Sequence, residues 1–129
     1  MSTIFTKIVQ GEIPCYKVAE DDNFLAFLDI NPNAKGHTIV IPKKEVNKLF
    51  DLDEDAYSGL MQFSRTVAIA LEKAIPCKRI GMAVVGLEVP HVHVHLIPIN
   101  EMDDMRFTKK VQLTSDEFVN TAKSISDKL

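Results

Sequence analysis

Only two cysteines, Cys15 and Cys77, occur in the chain, with no Cys-x-x-Cys pair. A four-cysteine zinc site is excluded, and a reducing compartment fits. No apolar run approaches the ~20 residues that span a bilayer. The first residues, Met1-Ser2-Thr3-Ile4-Phe5-Thr6-Lys7, lack the long apolar stretch of a signal peptide. A cytoplasmic protein with no membrane partner is the expectation. Positive charge is not in excess either: fifteen Lys plus Arg stand against eighteen Asp plus Glu, for a net charge of -3. Broad nucleic-acid binding needs a basic face to displace counterions, so no nucleic-acid partner is expected. Internal repeats, low-complexity tracts and Gly/Ser-rich linkers are absent as well. What remains is 129 residues with 46% apolar and 26% charged, the composition of one globular domain spanning residues 1–129. A domain of that size buries enough surface to need neither disulfides nor a structural metal.

Prolines and glycines divide the chain into short elements. Residues 4–9 form a short helix stopped by Gly11 and Pro14, with Phe5 and Ile8 on one face. Residues 15–19 and 24–29 read as a hairpin around the turn Glu20-Asp21-Asp22-Asn23. A turn-rich loop, Asn31-Pro32-Asn33-Ala34-Lys35-Gly36, leads into a β-branched strand over 37–42 that Pro42 ends. In residues 53–75, Ala56, Leu60, Phe63, Val67, Leu71 and Ile75 recur at three- and four-residue spacing, which predicts one long amphipathic helix. Acidic Asp51, Asp53, Glu54 and Asp55 suit its positive end and Pro76 stops it. Strands follow over 79–85 and 92–99. Thr114 and Glu117 have the spacing of a capping box for a C-terminal helix carrying Phe118, Ala122 and Ile125. The fold class is therefore α+β: a mostly antiparallel sheet of about five strands, one long helix and a C-terminal helix.

Three of the four histidines fall at every second position of His91-Val92-His93-Val94-His95-Leu96-Ile97. On an extended segment, Val92, Val94 and Leu96 turn to one side and the imidazoles share the other, anchored roughly 6.5 to 7 Å apart. Two chemistries fit such a row. Two or three imidazoles could hold a metal, with Glu88 or Asp29 as the acidic partner. Alternatively, a neutral imidazole, with an ordinary pKa of about 6.5, can attack phosphorus without a separate base. The second route requires one ring nitrogen free and the other donating a hydrogen bond, while flanking histidines hold phosphate oxygens and assist departure.

The His91-x-His93-x-His95 segment, with its apolar intervening residues, resembles the signature of the histidine-triad (HIT) family. Residues 3–14 resemble its N-terminal motif, 20–30 its first hairpin and 36–43 its next strand, in the family's order and spacing. The resemblance implies the HIT-like fold and a nucleotidyl hydrolase or transferase in which His93 attacks an α-phosphate to give a covalent nucleotidyl-histidine that water resolves. It further implies that His95 contacts the phosphate and assists the leaving group, and that His91 and His37 form the supporting hydrogen-bond network. Asp29 would bind the ribose hydroxyls, and Phe5, Ile8, Phe27 and Ile30 the base, a purine. His95 stands where the uridylyltransferase branch carries glutamine, which favours hydrolysis. Zinc-carrying members have cysteines where Thr3 and Thr6 stand and a histidine where Glu45 stands, so no metal and no cofactor are expected. Residues 84–89 make a loop shorter than in Hint-like members, with Leu87 in the place of a glutamine and Glu88 beside it, both facing the leaving group. A carboxylate there repels phosphate unless it is paired or turned away.

The expected activity is hydrolysis of a nucleoside phosphoramidate, a dinucleoside polyphosphate or a related conjugate. Two alternatives stand beside it: a nucleotide-binding module with little turnover, suggested by the Glu88 loop, and a metal-dependent hydrolase using the same histidines. The resemblance also implies a homodimer.

Overall fold

A computed structural model describes residues 2–129; Met1 lies outside them. Strands β1 (Lys17–Glu20), β2 (Phe24–Leu28), β3 (Thr38–Pro42), β4 (Arg79–Ala83) and β5 (Val94–Ile99) form one antiparallel sheet in the order β1-β2-β3-β5-β4. Helix α1 (Ile4–Val9) precedes the sheet, α2 (Glu54–Ala74) connects β3 to β4, and α3 (Ser115–Ser126) ends the fold.

Local chemistry sets these boundaries. The β1–β2 turn closes because the Asp21 carboxylate accepts from the backbone N–H of both Asn23 and Phe24 at 2.8 Å, the self-bonding expected of aspartate in a turn. Asp53 caps α2 by accepting from Ala56 N–H, and Thr114 and Glu117 make the anticipated capping box at the start of α3. Thr3 caps α1 by accepting from Thr6 N–H. The elements lie within a few residues of their sequence-derived limits. The change that bears on the site is at β5, whose ladder begins at Val94, so His91 and His93 lie in the segment entering the strand.

Strands β2 and β3 are buried along their whole length because both faces of the sheet are covered. On one face Phe24, Ala26, Leu28, Val40, Val94 and Leu96 pack against Leu60, Val67 and Leu71 of α2 and Phe118 and Ile125 of α3. Each Val, Leu, Ile or Phe side chain so removed from water contributes about 1.5–3 kcal/mol. On the other face Phe5, Leu25, Phe27, Ile39 and Ile41 form a smaller cluster beneath α1. Period-two alternation puts His37, His93 and His95 on this second face. Gly36, immediately before β3, has φ 94°, and a Cβ there would lie 3.0 Å from Ile75 and 3.1 Å from Leu71. The long helix thus presses on the backbone that carries His37.

Candidate active site

A cavity of about 470 Å³ opens between α1, the end of β2, the loop at 85–89 and the segment after β5. That volume is in the range of small-molecule sites. Phe5, Ile8, Phe27 and Ile39 give it an apolar floor, Asp29 and Ile30 stand at one side, Leu87 and Glu88 at another, and His93 and His95 line it. All eight of Phe5, Ile8, Phe27, Asp29, Ile30, Leu87, Glu88 and His95 are therefore brought together with His93. Ile30 and Leu87 form an exposed rim, Leu87 at 90%.

His37 and His91 do not face the cavity. Both are fully buried behind it, His91 at 0% exposure and His37 at 1%. The evenly presented row of three rings becomes a pair, His93 and His95, with centroids 5.0 Å apart, while His91 turns beneath α1 against Phe5. The physical reason is that the sheet face is not open to water there: α1 covers it.

Main-chain groups fix which nitrogen of each ring carries a proton. His91 Nε2 lies 2.8 Å from the Pro42 carbonyl, which can only accept, so Nε2 donates. Burial pushes the His91 pKa below its ordinary value, so the ring is neutral at pH 7 and Nδ1 must accept. Thr3 Oγ1, 3.1 Å away, donates to it, since the Thr6 hydroxyl is committed to Glu45. His93 Nδ1 donates to the His91 carbonyl at 2.7 Å. In the neutral ring this leaves the lone pair of His93 on Nε2, the nitrogen turned away from the backbone.

A second chain begins at Asn33. Its buried N–H donates to His37 Nδ1 at 2.9 Å, so His37 carries its proton on Nε2 and gives it to His95 Nδ1, 2.9 Å away. His95 is left with Nε2–H as a donor. Burial, followed by the neighbouring charge of His95 and Lys110, pushes the His37 pKa down to about 3. Burial, followed by His93 and Lys110, pushes that of His95 down to about 4. Both rings are neutral at pH 7. Asp29 is shifted the other way: burial raises its pKa, against lowering by Asn31 N–H, Lys110 and His93.

Asp29, His37 and His95 place potential metal-ligand atoms within 4.8 Å of one another, which tests the metal reading. To ligate, His37 would have to give up its Nε2 proton and carry one on Nδ1, facing the Asn33 N–H with no room for an acceptor between them. Only two of the three groups are then usable, and this cluster does not fit a metal. A different cluster marks the place where zinc-carrying members have their ligands. Here Glu45 accepts from Thr3 N–H at 3.0 Å and from the Thr6 hydroxyl, and Thr3 and Thr6 hydroxyls lie 3.1 and 3.4 Å from His91 Nδ1. Hydrogen bonds tie α1 to His91 in that position.

Three participants were not legible in the sequence. Asn33 was only a turn residue, though its N–H sets the His37 tautomer and its side chain donates to the Asp104 carbonyl. Phe107 packs edge-on against His95, with centroids 4.7 Å apart. Lys110 lines the cavity and donates to Asn31 O and Asn33 Oδ1. The last two lie in a stretch without regular structure, where neither periodicity nor motif spacing carries a signal.

The sequence pattern of the HIT domain matches residues 10–102. The chain belongs to the HIT family. A HIT-like protein of Methanocaldococcus jannaschii is 37% identical to it, over 93% of this chain and 98% of that one. Adenosine 5'-monophosphoramidase hnt1 of Schizosaccharomyces pombe is 42% identical over 76% of this chain and 74% of its own length. Among solved structures, a HIT-like protein of Bartonella henselae described as involved in cell-cycle regulation superposes with a TM-score of 0.87 at 32% identity, covering 99% of this chain and 96% of that one. The HIT-like fold and the α+β class expected from the motifs are those observed. No helix among the described residues is long and apolar enough to cross a membrane.

Proposed function

We propose that this HIT protein is a nucleotide hydrolase that cleaves a nucleoside phosphoramidate, dinucleoside polyphosphate or related conjugate through a nucleotidyl-His93 intermediate. The observation that carries the reading is the pair of tautomers: a free Nε2 on His93 beside a donating Nε2–H on His95, both lining a cavity with an apolar floor. The Schizosaccharomyces relative, an adenosine monophosphoramidase, supports the same class of chemistry.

In this mechanism the purine lies on Phe5, Ile8 and Phe27 with Ile30 at the rim, and the Asp29 carboxylate accepts from the ribose hydroxyls. The lone pair on His93 Nε2 forms a bond to the α-phosphorus as the bond to the leaving group breaks. The departing atom takes the electron pair and accepts a hydrogen bond from His95 Nε2–H, along which a departing amine also takes the proton. Nδ1–H of His93, held by the His91 carbonyl, supports the positive charge that develops on the ring. Water then attacks phosphorus and gives up a proton, to His95 Nε2 where an amine has taken one and to the departed phosphate otherwise; the nucleoside monophosphate leaves and the lone pair returns to His93 Nε2. His91 and His37 act through their neighbours as positioning residues. No metal and no cofactor enter the reaction. The reading includes one domain over residues 1–129, a cytoplasmic location, and a homodimer in which edge strand β4 and the adjoining face of α2 meet their copies; Met82 and Ile69 are exposed there.

The test is direct. Incubation with an adenosine phosphoramidate labelled in the adenosine, followed by rapid quenching at neutral pH, should trap an acid-labile protein adduct that His93→Ala cannot form. Product without any adduct in the wild type overturns the covalent route. Nucleotide binding with neither adduct nor product shows a binding module instead.

A further inference from the structure

The cavity holds one charged group that the mechanism leaves unused. Among the described residues, Lys110 is the one lysine or arginine that lines the cavity, where Asp29 and Glu88 also stand. Its ammonium is held by two neutral acceptors, Asn31 O at 3.0 Å and Asn33 Oδ1 at 2.9 Å. An ammonium has three N–H donors, so one is left over. The segment that carries it is anchored: Val111 N–H bonds to Pro32 O at 3.0 Å. Nζ lies 5.4 Å from the centre of the Phe107 ring, which itself sits against His95. Phe107 therefore touches both the fixed cation and the ring that assists departure.

Resting on the proposed hydrolase reading, we propose that Lys110 is the residue that selects an anionic, phosphate-type leaving group, so that nucleoside phosphate anhydrides are preferred to phosphoramidates of neutral amines. The chemistry of the site points the same way. His37 and His95 are neutral at pH 7, so the proton that an amine needs comes from a weakly acidic imidazole N–H. A phosphate leaving group needs none. As the bond from His93 Nε2 to the α-phosphorus forms, the bridging P–O bond breaks and its electron pair remains on the oxygen of the departing phosphate. The extra negative charge is taken up by His95 Nε2–H and, in this proposal, by the spare N–H of Lys110. A charge-assisted hydrogen bond is the stronger kind, and it is strongest where charge develops.

The experiment compares kcat/KM for diadenosine tetraphosphate and adenosine phosphoramidate in the wild type, Lys110→Gln and Lys110→Arg. Losing a hydrogen bond to a charged group should lower the anhydride-to-phosphoramidate ratio about tenfold or more in Lys110→Gln. Lys110→Arg, which keeps the cation, should recover most of that ratio. Equal losses on both substrates in Lys110→Gln would make Lys110 only a brace for the 31–33 loop and overturn the proposal, as would an Arg variant no better than the Gln variant. A wild type that cleaves the phosphoramidate but not the anhydride also overturns it and leaves the hydrolase reading standing. Turnover of neither substrate removes both.

Discussion

His37 Nε2 and His95 Nδ1 are 2.9 Å apart, and the proton between them belongs to His37. The assignment follows from the far side of the His37 ring, where a buried main-chain N–H occupies the Nδ1 lone pair. The contact therefore turns a turn residue, Asn33, into a determinant of what His95 can do at the cavity wall.

The same burial that keeps these rings neutral makes folding pH-dependent. Each binds a proton less readily in the folded chain than in the unfolded one, where its pKa is about 6.5. Their contribution to stability is complete above that pH and is lost on acidification, until His95 titrates near 4 and His37 near 3. Between pH 6 and pH 5 the unfolding free energy should fall by about 1.4 kcal/mol per pH unit for each histidine. Urea titrations at a series of pH values would measure this, and a flat profile through that window would contradict it.

His95 acts on the leaving group, so its importance should depend on what departs. His95→Ala should slow hydrolysis of a substrate with a poor leaving group by about a hundredfold, and much less for one with an activated aryloxide. Single-turnover rates for the two substrates give the comparison. Equal slowing of both would place His95 elsewhere in the reaction.

Gly36→Ala should destabilise the protein by about 2–4 kcal/mol, combining a left-handed backbone angle with a crowded methyl group. Gly11→Ala offers the contrast: its φ is 79°, but a Cβ there meets nothing within 4 Å, so only the backbone penalty of about 1–2 kcal/mol applies. Chemical denaturation of the two variants separates the contributions, and equal losses would refute the packing argument.

Where Glu45 now bridges Thr3 and Thr6, three substitutions should install a metal. Thr3→Cys, Thr6→Cys and Glu45→His together would surround His91 Nδ1 with the soft donors that zinc prefers. One zinc per chain, retained on gel filtration, and a higher Tm are expected. A metal-free triple variant would show that these side chains do not converge as the hydrogen bonds indicate.

Much of this arrangement could be read before any coordinates. The 3.6-residue spacing from Ala56 to Ile75 specified α2 because a stripe of that period has one way to be buried. Alternation placed Val92, Val94 and Leu96 in the core for the same kind of reason. The spacing could not show that α1 lies over the first imidazole, so His91 was expected at the same surface as His93 and is instead sealed behind it. Nor could it find Lys110 or Phe107, which reach the cavity from an irregular segment by tertiary placement alone. Glu88 at the cavity is legible in the motif; the cation that lines the same cavity is not.

Both proton assignments at the cavity trace back to peptide groups: the amide of Asn33 on one side, the carbonyls of Pro42 and His91 on the other. Spacing along the chain is consequently guarded more tightly there than side-chain identity. A residue gained or lost between 33 and 37, or between 91 and 93, would misalign donor and ring even with every histidine retained, whereas many exchanges of neighbouring side chains would leave the protonation pattern intact.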